Sequence, residues 1–115
     1  MPNYPNRVVD GVTIVDLTGD ITLGGGSGVL RESIRELIAS GKKRIVLNLR
    51  EVTFIDSTGI GELMSALVTA RKTGSELRLL NPTPRTREVL ETTKLNTIFE
   101  VYDDEEAAIA SVATR

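Results

Sequence analysis

The apolar positions of the chain change period several times, and each change marks an element. Residues 7–9 and 12–17 read as two strands flanking Asp10-Gly11, a pair suited to the positive φ angles of a tight turn, so the fold is expected to open with an antiparallel hairpin. Leu30, Ile34, Leu37 and Ile38 then recur at helical spacing, with Ser27 placed to cap the start and Gly41 to end the helix. Residues 45–49 form a nearly continuous apolar run, the pattern of a central strand covered on both faces. Val52, Phe54 and Ile55 lead into Asp56-Ser57-Thr58-Gly59. Beyond it Ile60, Leu63, Met64, Leu67 and Val68 make the clearest helical stripe in the chain, with Gly74 as its stop.

The second half continues the alternation. Residues 77–80 read as a buried strand, Asn81-Pro82 as a turn, and Thr83-Pro84 as a helix start in which the missing proline N–H costs nothing. Val89 and Leu90 of that helix are expected in the core. Residues 98–102 are expected as the last strand, and Asp103 with Glu106 as the acidic first turn of a closing helix through Ile109 and Val112. Strands alternating with helices pair in parallel through right-handed crossovers. The expected architecture is therefore one α/β domain over residues 1–115, a mixed and mostly parallel sheet opened by a hairpin, with helices packed on it. The glycine-rich stretch 24–28 is too short to separate domains and reads as a flexible loop. No Gly-Lys-Ser or Gly-Lys-Thr follows it, as a phosphate-binding loop would need.

Composition narrows the chemistry. With 14 Lys and Arg against 16 Asp and Glu, two Tyr and two Phe, the chain has neither the charge nor the stacking side chains that nucleic-acid binding draws on. Histidine and cysteine are absent, which removes a Ser-His-Asp triad, thiol nucleophiles, the usual zinc ligands and disulfides. Asp20 and Asp56 alone are a weak metal signal, and Thr18-Gly19-Asp20-Ile21 lacks the adjacent acidic pair of a receiver domain. A binding protein is expected rather than an enzyme, without cofactor or metal. The first residues lack a signal-peptide pattern and no apolar run approaches membrane-spanning length, so the expected location is the cytoplasm, without membrane insertion.

In such folds functional groups collect where strands end and helices begin. The segment from Asp56 to Gly61 occupies that position: Asp56, Ser57 or Thr58 is placed to cap the helix, and a hydroxyl at Ser57 would be presented on the rim. Gly59 and Gly61 reduce the bulk around it and suit the approach of another protein.

Ile-Asp-Ser-Thr-Gly-Ile-Gly-Glu-Leu, preceded by Lys-Lys-Arg-Ile-Val-Leu-Asn-Leu and an early Gly-Asp-Ile, resembles the STAS domain of bacterial anti-sigma-factor antagonists, over nearly the whole chain. The resemblance implies a phosphorylation-controlled binding switch. Unphosphorylated, it would bind an anti-sigma factor that is also a serine kinase and so free a sigma factor; a phosphoserine phosphatase would reset it. Ser57 then matches the phosphoacceptor, with Thr58 as a secondary one, and Asp20, Thr22, Asp56, Gly59 and Gly61 join them as partner contacts. Thr22 departs from the family, which often carries a second acidic residue there, and with the 24–28 loop it is expected to alter partner choice. The alternative reading is a non-switching scaffold or sensory-assembly module that contacts other STAS proteins. Arg85 and Arg87, near a helix start where positive charge gains nothing from the dipole, are weaker candidates for a partner contact.

Overall fold

The computed structural model describes residues 4–112. The hairpin forms as expected: β1 (Asn6–Val9) and β2 (Val12–Ile21) pair antiparallel across Asp10 and Gly11, whose φ values of 52° and 79° are those of a two-residue turn that follows the strand twist. The chain then runs through α1 (Ser27–Ala39), β3 (Arg44–Ile55), α2 (Ser57–Lys72), β4 (Glu76–Leu80), α3 (Pro84–Thr92), a single 3₁₀ turn at Leu95–Thr97, β5 (Val101–Tyr102) and α4 (Glu105–Val112). The five strands lie in chain order, and every pair after the first is parallel.

Both long strands outrun their apolar signatures. β2 continues past Leu17 to Ile21 because Thr18, Gly19 and Asp20 keep pairing with β3. On β3 the run at residues 45–49 and the segment before Asp56 are one strand, joined through two bulges at which β3 advances one residue more than β2. The bulges change the spacing of inward positions from two to three, so Leu49, Val52 and Ile55 all reach the same core while Arg50, Glu51, Thr53 and Phe54 stay exposed. Phe54 is thus outside, although the next residue, Ile55, is in the core.

The sheet is covered unequally. Leu30 and Ile34 of α1, Leu63, Ala66, Leu67 and Ala70 of α2 and Leu90 of α3 pack with Val15, Leu17, Ile21, Ile45, Leu47, Leu77 and Leu79 in the larger core. Among the described residues, α4 is the one helix on the opposite face, where Ala108, Ile109 and Val112 meet Val12, Ile14, Val46 and Leu80. Several ends differ from expectation. Ser27 is the first residue of α1 rather than its cap, and Gly26 precedes it without a side-chain bond. The last strand is only two residues long because residues 95–97 turn as 3₁₀ helix. α4 is capped by Asp104, which accepts the Ala107 N–H at 3.0 Å, while Asp103 pairs with Arg87. Thr83 caps α3 through the Thr86 N–H, with Pro84 in the first turn as expected.

Arg7 fastens α4 to the hairpin. Its guanidinium donates to Asp16 at 3.1 and 3.3 Å and to Glu105 at 2.9 and 2.7 Å, and Asn48 adds a donor to Asp16 at 2.8 Å. Burial pushes the Asp16 carboxyl up, but the bonds from Arg7 and Asn48 outweigh it and hold it below the ordinary carboxylate range. The bonds from Arg7 lower Glu105 likewise. A carboxylate whose folded pKa lies below its unfolded one stabilises the fold above the unfolded value and ceases to do so as pH falls through the folded one. Replacing Arg7 by Leu should therefore cost about 1 kcal/mol at neutral pH, given the exposure of the cluster. The gap from wild type should narrow below the ordinary carboxylate range, as measured by urea unfolding between pH 7 and pH 3.

Candidate functional site

The C-terminal ends of β2, β3 and β4 form one rim of the domain, and the loops leaving them start the three longer helices. Asp56 leaves β3 in an extended conformation, φ −98° and ψ −174°, which turns its side chain back over the first turn of α2. One carboxylate oxygen accepts the Gly59 N–H at 2.9 Å, so Asp56 is the cap that the sequence left open among three residues. The other oxygen accepts the Leu23 N–H at 3.1 Å, from the loop after β2. The Gly59 amide, then the Leu23 amide, hold the Asp56 carboxyl below its usual range, so it is a carboxylate at neutral pH.

With capping assigned to Asp56, Ser57 is released from it. It is the first residue of α2, is exposed, and no hydrogen bond within the described residues ties its hydroxyl. Thr58 is half-buried beside it. The two glycines do different things. Gly59 is buried, and a Cβ there would stand 2.1 Å from the Ile21 carbonyl oxygen and 2.8 Å from the Ile55 side chain, so its smallness serves the contact between α2 and β2. Gly61 is exposed and a Cβ there would meet nothing. It alone of the pair leaves room on the outer surface.

Asp20 and Thr22 lie on the same rim. The Asp20 carboxylate accepts from the Thr53 hydroxyl at 2.5 Å across the strand pair, rather than facing the same groups as Asp56. Thr22 is half-buried, and its carbonyl accepts the Gly25 and Ser27 amides at 2.9 and 3.3 Å. The Asp20 carbonyl takes the Gly26 amide at 2.9 Å, and the Tyr4 hydroxyl donates to the Gly26 carbonyl. The glycine-rich segment is accordingly a hydrogen-bonded turn and not the loose loop its composition suggests. A Cβ on Gly25 or Gly26 would press on Thr22, Tyr4 or the Asp20 carbonyl at 2.5 Å or less. Among the described residues, no three acidic, histidine or cysteine side chains gather as a metal site would require.

Four exposed apolar side chains escape a reading of the sequence, two of them at this rim and two along α2. Leu23 is 78% exposed in the turn held by Asp56. Met64 and Val68, expected on the core stripe of α2, are 38% and 46% exposed. At 100° per residue they share one outward face with Ser57 and Gly61, opposite Gly59, Leu63, Ala66 and Ala70. The signal was present, since apolar residues spread too widely around α2 for one buried stripe. Phe54 is exposed because of the second bulge, and the Arg85 guanidinium lies 5.9 Å from its ring centre.

Exchanging the two glycines separates their roles. Gly59→Ala should lower the unfolding free energy by about 2 kcal/mol, since the backbone carbonyl it meets cannot swing aside. Gly61→Ala should raise it by about 0.5–1 kcal/mol through helix propensity. Thermal or urea unfolding of both variants checks the pair.

Comparison with known proteins places this geometry. The family model described as the STAS domain matches residues 3–108. A solved structure of a candidate anti-sigma factor antagonist from Thermotoga maritima superposes with a TM-score of 0.87 at 26% identity, over 95% of this chain and 93% of that one. The anti-sigma F factor antagonist of Paenibacillus polymyxa is 28% identical over 89% of this chain and 87% of its own. The Bacillus anti-sigma factor antagonist SpoIIAA shares the fold in both its unphosphorylated and phosphorylated forms. The TM-scores are 0.68 and 0.69 and the identities 23% and 24%; the matches cover 95% of this chain in each case, and 96% and 98% of those chains.

Proposed function

The chain belongs to the STAS domain family, and on that footing we propose that it is an anti-sigma factor antagonist whose hold on its partner is set by phosphorylation of Ser57. Unmodified, it binds an anti-sigma factor with serine kinase activity in the cytoplasm and so frees a sigma factor. The kinase partner holds ATP. The Ser57 oxygen attacks the γ-phosphorus, the bond to the departing ADP breaks, and the hydroxyl proton passes to a base of the partner. A phosphoserine phosphatase later removes the group by hydrolysis. The chain itself supplies a binding surface and an acceptor oxygen.

The observation that carries this reading is the division of labour at the start of α2, where Asp56 caps the helix and Ser57 stands exposed with its hydroxyl untied. A serine consumed as the cap would have to give up that bond to be modified. The outward face of α2 that begins at Ser57 continues through Gly61, Met64 and Val68, an apolar strip suited to a protein contact. Thr58, Asp20 and Thr22 flank it as further contacts, with Thr58 also the secondary acceptor.

Phosphate adds about 1.5 to 2 negative charges next to the Asp56 carboxylate. The N-terminus of α2 accommodates them, since its amides and dipole favour an anion, so the fold persists. SpoIIAA, with the same fold, is likewise solved in both forms. In the complex the added charge is desolvated against the partner. An unpaired charge buried at an interface costs roughly 2–5 kcal/mol, and about 5.5 kcal/mol inverts a 99:1 preference. One phosphate with its steric bulk is of that order.

Capture from a lysate of the source cell with wild-type, Ser57→Ala and phosphoserine-57 baits tests this. An ATP-binding anti-sigma kinase should be retained by the first two and at least about tenfold less by the third. Equal retention by all three would sink the switch, and recovery of STAS or sensor proteins regardless of residue 57 would point to a scaffold.

A further inference from the structure

The Asp56 carboxylate does more than cap a helix, because its two oxygens serve two different segments. One holds the Gly59 N–H in the first turn of α2, and the other holds the Leu23 N–H in the turn after β2. Among the described residues, the other hydrogen bonds of that turn lie on either side of Leu23. Gly25 and Ser27 donate to the Thr22 carbonyl, and Gly26 donates to the Asp20 carbonyl. Leu23 itself, 78% exposed, gains little from packing. Its backbone is held to the body of the domain through Asp56.

A phosphate on Ser57 would be a second anion at the same helix end. Ser57 is the first helical residue, so its phosphate would stand at the free amides that open the helix, directly beside the Asp56 carboxylate. The phosphate carries more charge and three acceptor oxygens, whereas the adjacent carboxylate carries one charge and meets repulsion. Displaced from Gly59, Asp56 loses the orientation that aims its other oxygen at Leu23.

We propose that Asp56 is a latch between the start of α2 and the Leu23 turn, and that phosphorylation of Ser57 opens it and frees Leu23. Asp56 acts here as a positioning residue. Resting on the functional reading above, the latch means that modification changes the docking face twice, by adding charge at Ser57 and by releasing an apolar side chain from its fixed position. The bonds of Gly25 and Gly26 do not pass through Asp56, so the rest of the turn keeps its shape.

The test is made on the isolated chain by amide NMR and hydrogen exchange, with wild type, phosphoserine installed at position 57 during synthesis, Ser57→Ala and Asp56→Asn. Asparagine caps helices as well as aspartate does, so that variant should fold, but it has one acceptor oxygen in place of two. Phosphoserine and Asp56→Asn should each speed exchange of the Leu23 amide about fivefold, the loss of one exposed hydrogen bond. Gly25 and Gly26 should be unchanged, and Ser57→Ala should behave as wild type. A Leu23 amide indifferent to phosphoserine would overturn the latch, as would equal acceleration at Gly25 and Gly26. Partner capture is read separately. Lost capture with an unmoved Leu23 removes the latch and leaves the switch, while a released Leu23 with undiminished capture removes the switch and leaves the latch.

Discussion

The end of β2 and the start of α2 meet at the distance of a bare backbone contact, with Gly59 against the Ile21 carbonyl, and the rim that carries Asp56 and Ser57 is built outward from that contact. The pairing of β3 with β2 carries one bond further, from the Asp56 amide to the same Ile21 carbonyl at 3.4 Å, and the Asp56 carboxylate falls within reach of both Gly59 and Leu23. The turn after β2 and the start of α2 are thus fixed to each other by a few atoms of one aspartate. The exposed serine hydroxyl follows from the same arrangement, since the residue before it already satisfies the helix end.

Most of the element order could be read from apolar periodicity alone, because a buried strand and an amphipathic helix impose different spacings on the same residue types. The hairpin turn at Asp10-Gly11, the Thr83-Pro84 start of α3 and the core positions Ile109 and Val112 stand where the pattern put them. Strand ends were less legible. Thr18, Gly19 and Asp20 carry no strand signature, and they are held in β2 by hydrogen bonds to a neighbour whose register no local pattern reveals. The bulges of β3 hid the continuity of that strand for the same reason.

At the candidate site, the junction of strand and helix at Asp56 was visible and its internal division was not. Three adjacent polar residues at a helix start all have capping side chains, and only the extended backbone of Asp56 selects it over Ser57 and Thr58. Gly59 and Gly61 look alike in sequence, two residues apart on one helix. The 200° between them sends one into the domain and the other to solvent. Leu23 had no signal at all, since its role comes from an amide and not from its side chain type.

The two bulges of β3 have a bearing on how such domains diverge. Each inserts a residue for which the core has no use, since Leu49, Val52 and Ile55 would face inward equally well from a strand two residues shorter. The surplus goes entirely to the outer surface, where Thr53 reaches Asp20 and Phe54 lies beneath Arg85. Lineages descended from a common ancestor can therefore rewrite Arg50, Glu51, Thr53 and Phe54 while the interior stays as it was. Related chains sharing one cell could acquire separate partners by that route without passing through an unstable intermediate.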